Sequence, residues 1–555
     1  MLEYIKEAPA GRFLRFLGFQ RPWLAFPEEQ PGFEPGLMQM PAVVGETSAA
    51  ASDTETDLEK TMPKGSAATR ATEKDESARS QSPDTQVVVV AFTEDDPANP
   101  RNWPHGKKMW TLTVVNLYTF CVYCTASIVT PTADAMMARY HVSLVVASLG
   151  LSMYVVGYAV GPMFLSPISE IPRIGRNPPY LYGFAAFFVV SIALAFVDSF
   201  PAIIVLRWLQ GLAGSPALAS GAASIEDIYD IYSAPYGYVW WIAAMYCGPA
   251  IGPLMAGYAV SDSWRWPLYE VVIMSGIILC LLPFLPETYP GTILLRRAER
   301  LRHAPGGQDR YEYRTETELH PTPFSKALFE ALIRPLEITT KDPAVLYAAL
   351  YGGLVYATYY SFFEAFPIVY LGTYRMTLGE LGLVFLSLMT GCIIGLAAYY
   401  AYLRSWFIPH ARKSHADTGK PVEQEEWLRP GLCGVWGPPA GLLLFAWAAR
   451  ADVHWIVPTV GINIWAGGSF CMFQSIICYV ALAYPKYVAS LFAANDFVRS
   501  MMAAAFVQFS HSMYVDLGVG KGVSVIASLS GVGVAGMYGL YYFGAWLRAR
   551  SQFTG

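Results

Sequence analysis

The sequence predicts an all-α polytopic membrane protein of twelve spanning helices in two bundles of six, and three observations predict it. Of 555 residues, 54% are hydrophobic and 15% charged, and the mean hydropathy is +0.33, where a soluble domain of this size would fall below zero. Apolar runs of about 20 residues, enough for a hydrocarbon layer of about 30 Å, fall near 108–131, 143–165, 179–198, 201–224, 237–260, 266–286, 344–371, 378–401, 431–449, 455–483, 486–511 and 522–546. With residue 1 in the cytosol, the inward loops after the second, sixth, eighth and tenth spans and the C-terminal tail hold nineteen Lys and Arg. The outward loops hold five: Arg139, Arg265, Arg375, Arg450 and Lys521. That asymmetry places both termini in the cytoplasm.

Residues 1–106 form a cytoplasmic tail. Between 25 and 100 it is rich in Pro, Glu, Ser, Thr and Ala, with too few large apolar groups to fold, so it is expected to be largely disordered. Nothing before it has the apolar core of a signal peptide. Phe13, Leu14, Phe16, Leu17 and Phe19, interleaved with Arg12, Arg15 and Arg21, suit either a short interfacial helix or a floppy tail. The first bundle then covers 107–286, a cytoplasmic linker 287–342, the second bundle 343–546 and a tail 547–555. In the linker, "ILLRRAERLRH" places Arg on nearly every helical turn, facing either an anionic leaflet or water. Every cysteine lies in or beside a span, where a thiol acts as a small hydrophobe.

The fifth span contains "CGPAIGPLMAGYAV". Pro249 and Pro253 each remove a hydrogen bond to the carbonyl four residues back, which lipid cannot replace. Gly248, Gly252 and Ala256 share one face with Gly257 beside it, so another helix can approach its bare backbone.

That motif resembles the fifth-helix antiporter motif of the major facilitator superfamily. Four more stretches are similar to its fungal drug:proton antiporters of twelve spans: "DPANPRNWP" before the first span, "SEIPRIGRNPPY" between the second and third, "RWLQGLAGSPALASG" in the fourth and "LPETYPGTILLRRAERLR" after the sixth. The likeness covers about residues 95–550, and the group most resembled comprises exporters conferring resistance to benomyl, caffeine and fluconazole. It implies alternating access between two bundles and a fifth helix that seals the outward side. It also implies that Arg207 occupies a fourth-helix position linked to proton coupling, and that Glu170 forms a charge latch with Arg176 or Arg173. Glu170 stands two residues farther from Gly175–Arg176 than the general pattern has it, and Ser166 replaces a usual Gly, which leaves the pairing open.

Charges inside spans cost about 3 kcal/mol or more at the bilayer centre unless they face protein or water. Glu364 lies in the outer half of the seventh span, with Tyr356 and Tyr360 at preceding steps of four on the same face. It is the expected proton carrier, with a fixed structural glutamate as the alternative. Asp496 and Arg499 in the eleventh span are spaced to pair, as a site or as an internal strut. Expected substrate contacts are Asn116, Gln210, Tyr356, Tyr360, Phe363, Asn463, Gln474 and Asn495, the aromatic ones suiting flat or cationic ligands. Gly248, Pro249, Gly252, Pro253 and Gly257 are expected to shape the gate.

There is no GxxxxGK[ST] loop, no HExxH and no cluster among the eight histidines, so neither an enzyme nor an ATP-driven pump is expected, and no cofactor or metal. The expected partners are small-molecule substrates, protons and the lipid bilayer, not nucleic acid, with the chain a monomer of the plasma membrane. The sequence leaves two rivals: an exporter of a fungal secondary metabolite or polyamine, and a non-transporting receptor or scaffold.

Overall fold

The computed structural model describes residues 6–18, 24–29, 86–303, 311–319, 324–420, 422–484 and 488–551. Among the described residues, and apart from the linker helices Pro290–His303 and Phe324–Lys341, twelve helices follow one another in two sets: α1 His105–Ser127, α2 Leu149–Ser169, α3 Asn177–Phe196, α4 Phe200–Gly214 resuming as Pro216–Ile228, α5 Ala234–Ala259 and α6 Trp266–Leu281. The second set is α7 Pro343–Phe366, α8 Leu378–Tyr402, α9 Gly437–Ala448, α10 Ile456–Ala483, α11 Val488–Leu517 and α12 Val519–Arg550. Successive helices run in opposite directions. The side from which the chain enters α1 is here termed the near face, and the side where α1 ends the far face.

Taken with their helical continuations, such as Trp266–Phe284 and Gln424–Ala448, ten of these among the described residues are long and apolar enough to cross a membrane by length and composition. The other two, α7 and α11, carry the tyrosines, Glu364, Asp496 and Arg499 that lower their apolar content. Their polar groups are tolerated because they face protein, nearly all of α7 being buried.

Helix ends follow their local chemistry. Asp342 accepts from Ala344 N and Val345 N ahead of Pro343, which opens α7 without an amide to lose. Thr377 and Glu380 make a reciprocal capping box at the start of α8. After α7 the chain widens into a π-helix over Pro367–Thr373, where the proline cannot continue the regular ladder. Packing inside the first set depends on bare backbone: a Cβ on Gly157 of α2 would lie 2.1 Å from Trp208 O, and one on Gly211 of α4 2.1 Å from Tyr154 O.

The chain divides into two compact units, and the first, 1–24, 97–292 and 322–555, holds all twelve helices. The second, 25–96 with 293–321, contains a two-stranded parallel pair, β1 Gln86–Val89 with β2 Tyr311–Arg314, the exception to an otherwise helical fold among the described residues. Val90, Ala298, Leu301 and Tyr313 form its small core. Arg297 is buried there, donating to Glu28 at 2.7 Å and paired with Asp96. Thus part of the tract expected to lack structure is ordered, because carboxylates of the tail meet an arginine that the sequence suggested would face lipid or water. The remainder of that tract, 30–85, lies outside the described residues.

Candidate functional site

Three arrangements of charge sit deep among the spans, each satisfied differently. Arg207 of α4 is 1% exposed. It donates to Gly150 O at 2.8 Å, Thr125 O at 3.0 Å, Ala126 O at 3.0 Å and Gln210 Oε1 at 2.9 Å. Its guanidinium also lies 4.3 Å from the centre of the Tyr154 ring. Among the described residues no carboxylate is within ion-pair distance of it, so backbone carbonyls and a π-face carry the charge. Gln210 completes this knot by donating to Ser191 Oγ at 2.7 Å, rather than standing in a cavity.

Asp496 and Arg499 of α11 form the second arrangement, paired at 2.6 Å with side chains 2% and 4% exposed. Arg499 donates also to Tyr123 Oη of α1 at 2.9 Å and stands 5.1 Å from the centre of the Tyr356 ring. Beside it Tyr158 of α2 bonds to Tyr356 and Tyr360 of α7, both at 2.8 Å. This buried layer of four tyrosines and one arginine ties α1 and α2 of the first set to α7 and α11 of the second.

Glu364 is the third. The hydroxyls of Tyr356 and Tyr360 turn to Tyr158, and the carboxylate lies instead 3.4 Å from His511 Nδ1 of α11, its side chain 11% exposed. Both line a far-face cavity of about 320 Å³ bounded by Thr130, Asp134, Gly150, Pro253, Phe363, Phe385 and the π-helical Pro367 and Leu371. Asp134, Glu364 and His511 are its ionisable lining among the described residues, and Phe363 stacks on Phe385 at 5.3 Å. On the near face a second cavity of about 230 Å³ is lined by Arg101, Glu226, Asp230, Tyr238 and Cys478.

Two cavities on opposite faces, separated by a polar layer between two six-helix sets, are the anatomy of a rocking transporter. The family model of the Major Facilitator Superfamily matches residues 115–507. The chain belongs to the major facilitator superfamily. It is 41% identical to the MFS-type transporter pyvG of Aspergillus violaceofuscus, over 84% of this chain and 85% of that one. With the cycloheximide resistance protein of Candida maltosa it shares 36% identity, over 87% of this chain and 89% of the relative. Among solved structures it resembles the xylose transporter XylE from E. coli in a partially occluded inward-open conformation, with a TM-score of 0.54, 13% identity, and 78% and 97% of the two chains covered. That last likeness concerns the fold alone.

Within this superfamily fold the fifth-helix motif occupies a defined place. α5 continues through Pro249 and Pro253. Cβ atoms on Gly248 and Gly252 would lie 2.8 Å from Phe120 O and Cys124 O, so that part of the face packs on α1. One turn on, a Cβ on Gly257 would lie 2.6 Å from Leu378 O, and one on Gly382 2.8 Å from Leu254 Cα. Here α5 meets α8 of the other set at backbone distance, on the far face.

At the near face Arg176 donates to Asp227 at 3.2 Å and to Ser169 Oγ at 3.0 Å, and stands 3.6 Å from Glu170. Burial alone would lower its pKa, but Asp227 and Glu170 hold it above the ordinary value. Glu287, from "LPETYPG", caps the start of α3 by accepting from Arg176 N at 2.9 Å and Asn177 N at 3.3 Å. Gly175 has φ of +81°, and a Cβ there would sit 2.6 Å from that carboxylate, so the loop needs glycine for both reasons. Arg173 is exposed.

The remaining expected contacts are dispersed. Gln474 donates to Pro235 O at 3.0 Å, joining α10 to the start of α5, and its Oε1 is buried without a hydrogen-bond partner, as is Asn116 Oδ1. Asn463 accepts from Thr390 at 2.6 Å beside a groove between α8 and α10, and Asn495 lines a small near-face pocket. Sequence reasoning missed His511, Tyr158, Asp227 and Glu287. A histidine inside a spanning helix was a signal for the first, and Tyr154–Tyr158 in the second span repeats the Tyr356–Tyr360 spacing of the seventh.

Proposed function

We propose that this chain is a plasma-membrane antiporter that exports amphipathic organic compounds as protons enter, with the near face and both termini cytoplasmic. The observation that carries the proposal is Glu364, a carboxylate with an imidazole partner, lining a far-face cavity beyond the tyrosine layer. Protons arriving from outside reach Glu364–His511 while the cavity is open to that side. Rocking of the two sets about the tyrosine layer then presents the pair to the near face, where the proton leaves. Exchange requires that the loaded and empty pair prefer different access states. The acidic lining and the Phe363–Phe385 stack suit flat or cationic substrates. The relative named for cycloheximide resistance supports drug export as the substrate class.

In this scheme Arg207 acts indirectly: it holds the Gly150 carbonyl, and Gly150 lines the same cavity. The close approach of α5 to α8 at Gly257 and Gly382 closes the far side when the cavity is inward-facing, and the Arg176–Asp227–Glu170 cluster steadies the near ends of α2, α3 and α4. Transport into proteoliposomes under an imposed pH gradient tests the reading. Drug flux is expected to follow the gradient in wild type and to lose that dependence in Glu364→Gln. Flux indifferent to the gradient in wild type would refute proton coupling, and wild-type behaviour of Glu364→Gln would refute the carrier.

A further inference from the structure

The N-terminal segment Pro9–Phe16 is an eight-residue helix that packs against Leu282–Phe284 at the near-face end of α6. It turns Ala8 and Gly11 inward, and both are buried. The opposite face is left uncovered: Phe13 is 61% exposed, Phe16 85% and Leu17 53%. Such an apolar face on so short a helix is unusual in water. Here it sits where α6 stops, beside the exposed Phe284, whose carbonyl accepts from Trp110 Nε1 of α1 at 3.1 Å. Aromatic residues at that level mark the boundary between hydrocarbon and headgroups.

Charge completes the argument. Residues 6–18 carry Lys6, Arg12 and Arg15 against Glu7, a net charge of +2 (three positive, one negative), and Arg12 is exposed next to Phe13. A basic rim around an aromatic face, at the depth where a spanning helix ends, matches the headgroup layer of an anionic leaflet. We propose that Pro9–Phe16 is an interfacial anchor that inserts Phe13, Phe16 and Leu17 into the near-face leaflet and binds anionic phospholipid through Arg12. The anchor fixes the start of the long N-terminal tail at the membrane surface.

The full chain, carrying a benzophenone amino acid in place of Phe16, is placed in nanodiscs of phosphatidylcholine alone or mixed with phosphatidylserine and irradiated. The same photoreactive residue at Trp240, exposed on α5, serves as a lipid-facing control. Lipid adducts at position 16 are expected, richer in phosphatidylserine than the bilayer itself, with that enrichment falling about fivefold in Arg12→Ala. Thermal stability in detergent is expected to stay at the wild-type value, since the Arg12 side chain is exposed. Adducts to a second copy or to another part of the chain, or none at position 16 while position 240 labels, would overturn the proposal. Lipid adducts indifferent to headgroup charge would overturn the anionic specificity.

Discussion

The two acid–base pairs of the second bundle use similar chemistry under opposite conditions. Asp496–Arg499 is sealed, paired within one helix and bonded onward to Tyr123. Glu364–His511 joins two helices, at a longer distance, on the wall of a cavity. A permanently charged guanidinium buried against its carboxylate at 2.6 Å makes a strut. An imidazole beside its carboxylate on a cavity wall is, in the proposed mechanism, the pair that takes up and releases the proton. Cavity lining and the choice of base, more than the presence of an acid in a span, distinguish the two sites.

The strongest way to break that contrast is to unpair the sealed site. Arg499→Met leaves Asp496 buried alone and is expected to cost about 3–5 kcal/mol, read as a fall in Tm of the purified protein, with the double change Asp496→Leu/Arg499→Met recovering most of it. A single variant as stable as wild type would mean that the site is not sealed. Glu364→Gln is expected to behave oppositely, abolishing gradient-driven flux while stability changes by less than about 1 kcal/mol.

Gly257→Ala drives a methyl toward Leu378 O and is expected to cost about 1–3 kcal/mol in Tm-derived stability and to slow transport, through the α5–α8 contact alone. His511→Gln should keep substrate binding but flatten the dependence of flux on pH. The smallest effect is expected at the exposed far-face cluster. Desolvation pushes Asp198 up, but Arg265 and Arg139 outweigh it and hold the carboxyl below its usual range. With the folded pKa depressed, its stabilisation is present above about pH 4 and lost as pH falls through the lower folded value. The small Tm difference between wild type and Asp198→Asn should therefore vanish in strong acid.

The spans were legible because a lipid-crossing helix must be a long apolar run, and Glu170 and Arg176 were singled out by the resemblance of their loop, where they lie 3.6 Å apart. Arg297 was legible only as a basic residue: its carboxylate partners lie 201 and 269 positions away in the chain. Tyr356, Tyr360 and Glu364 were rightly placed on one helix face by their spacing, yet that face meets Tyr158 at one level and His511 at another. Helical periodicity fixes direction around an axis, not which neighbour stands there.

The sequence by itself determined the twelve spans, the membership of a transporter family and the short set of intramembrane charges, because hydropathy and motif spacing are local properties of the chain. Only the tertiary structure decided that Arg207 rests on carbonyls, that Asp496 is locked by Arg499 and Tyr123, and that Glu364 faces a cavity with a histidine beside it. Partners and water access depend on helices brought together from far along the chain, and no local pattern encodes which of them will touch.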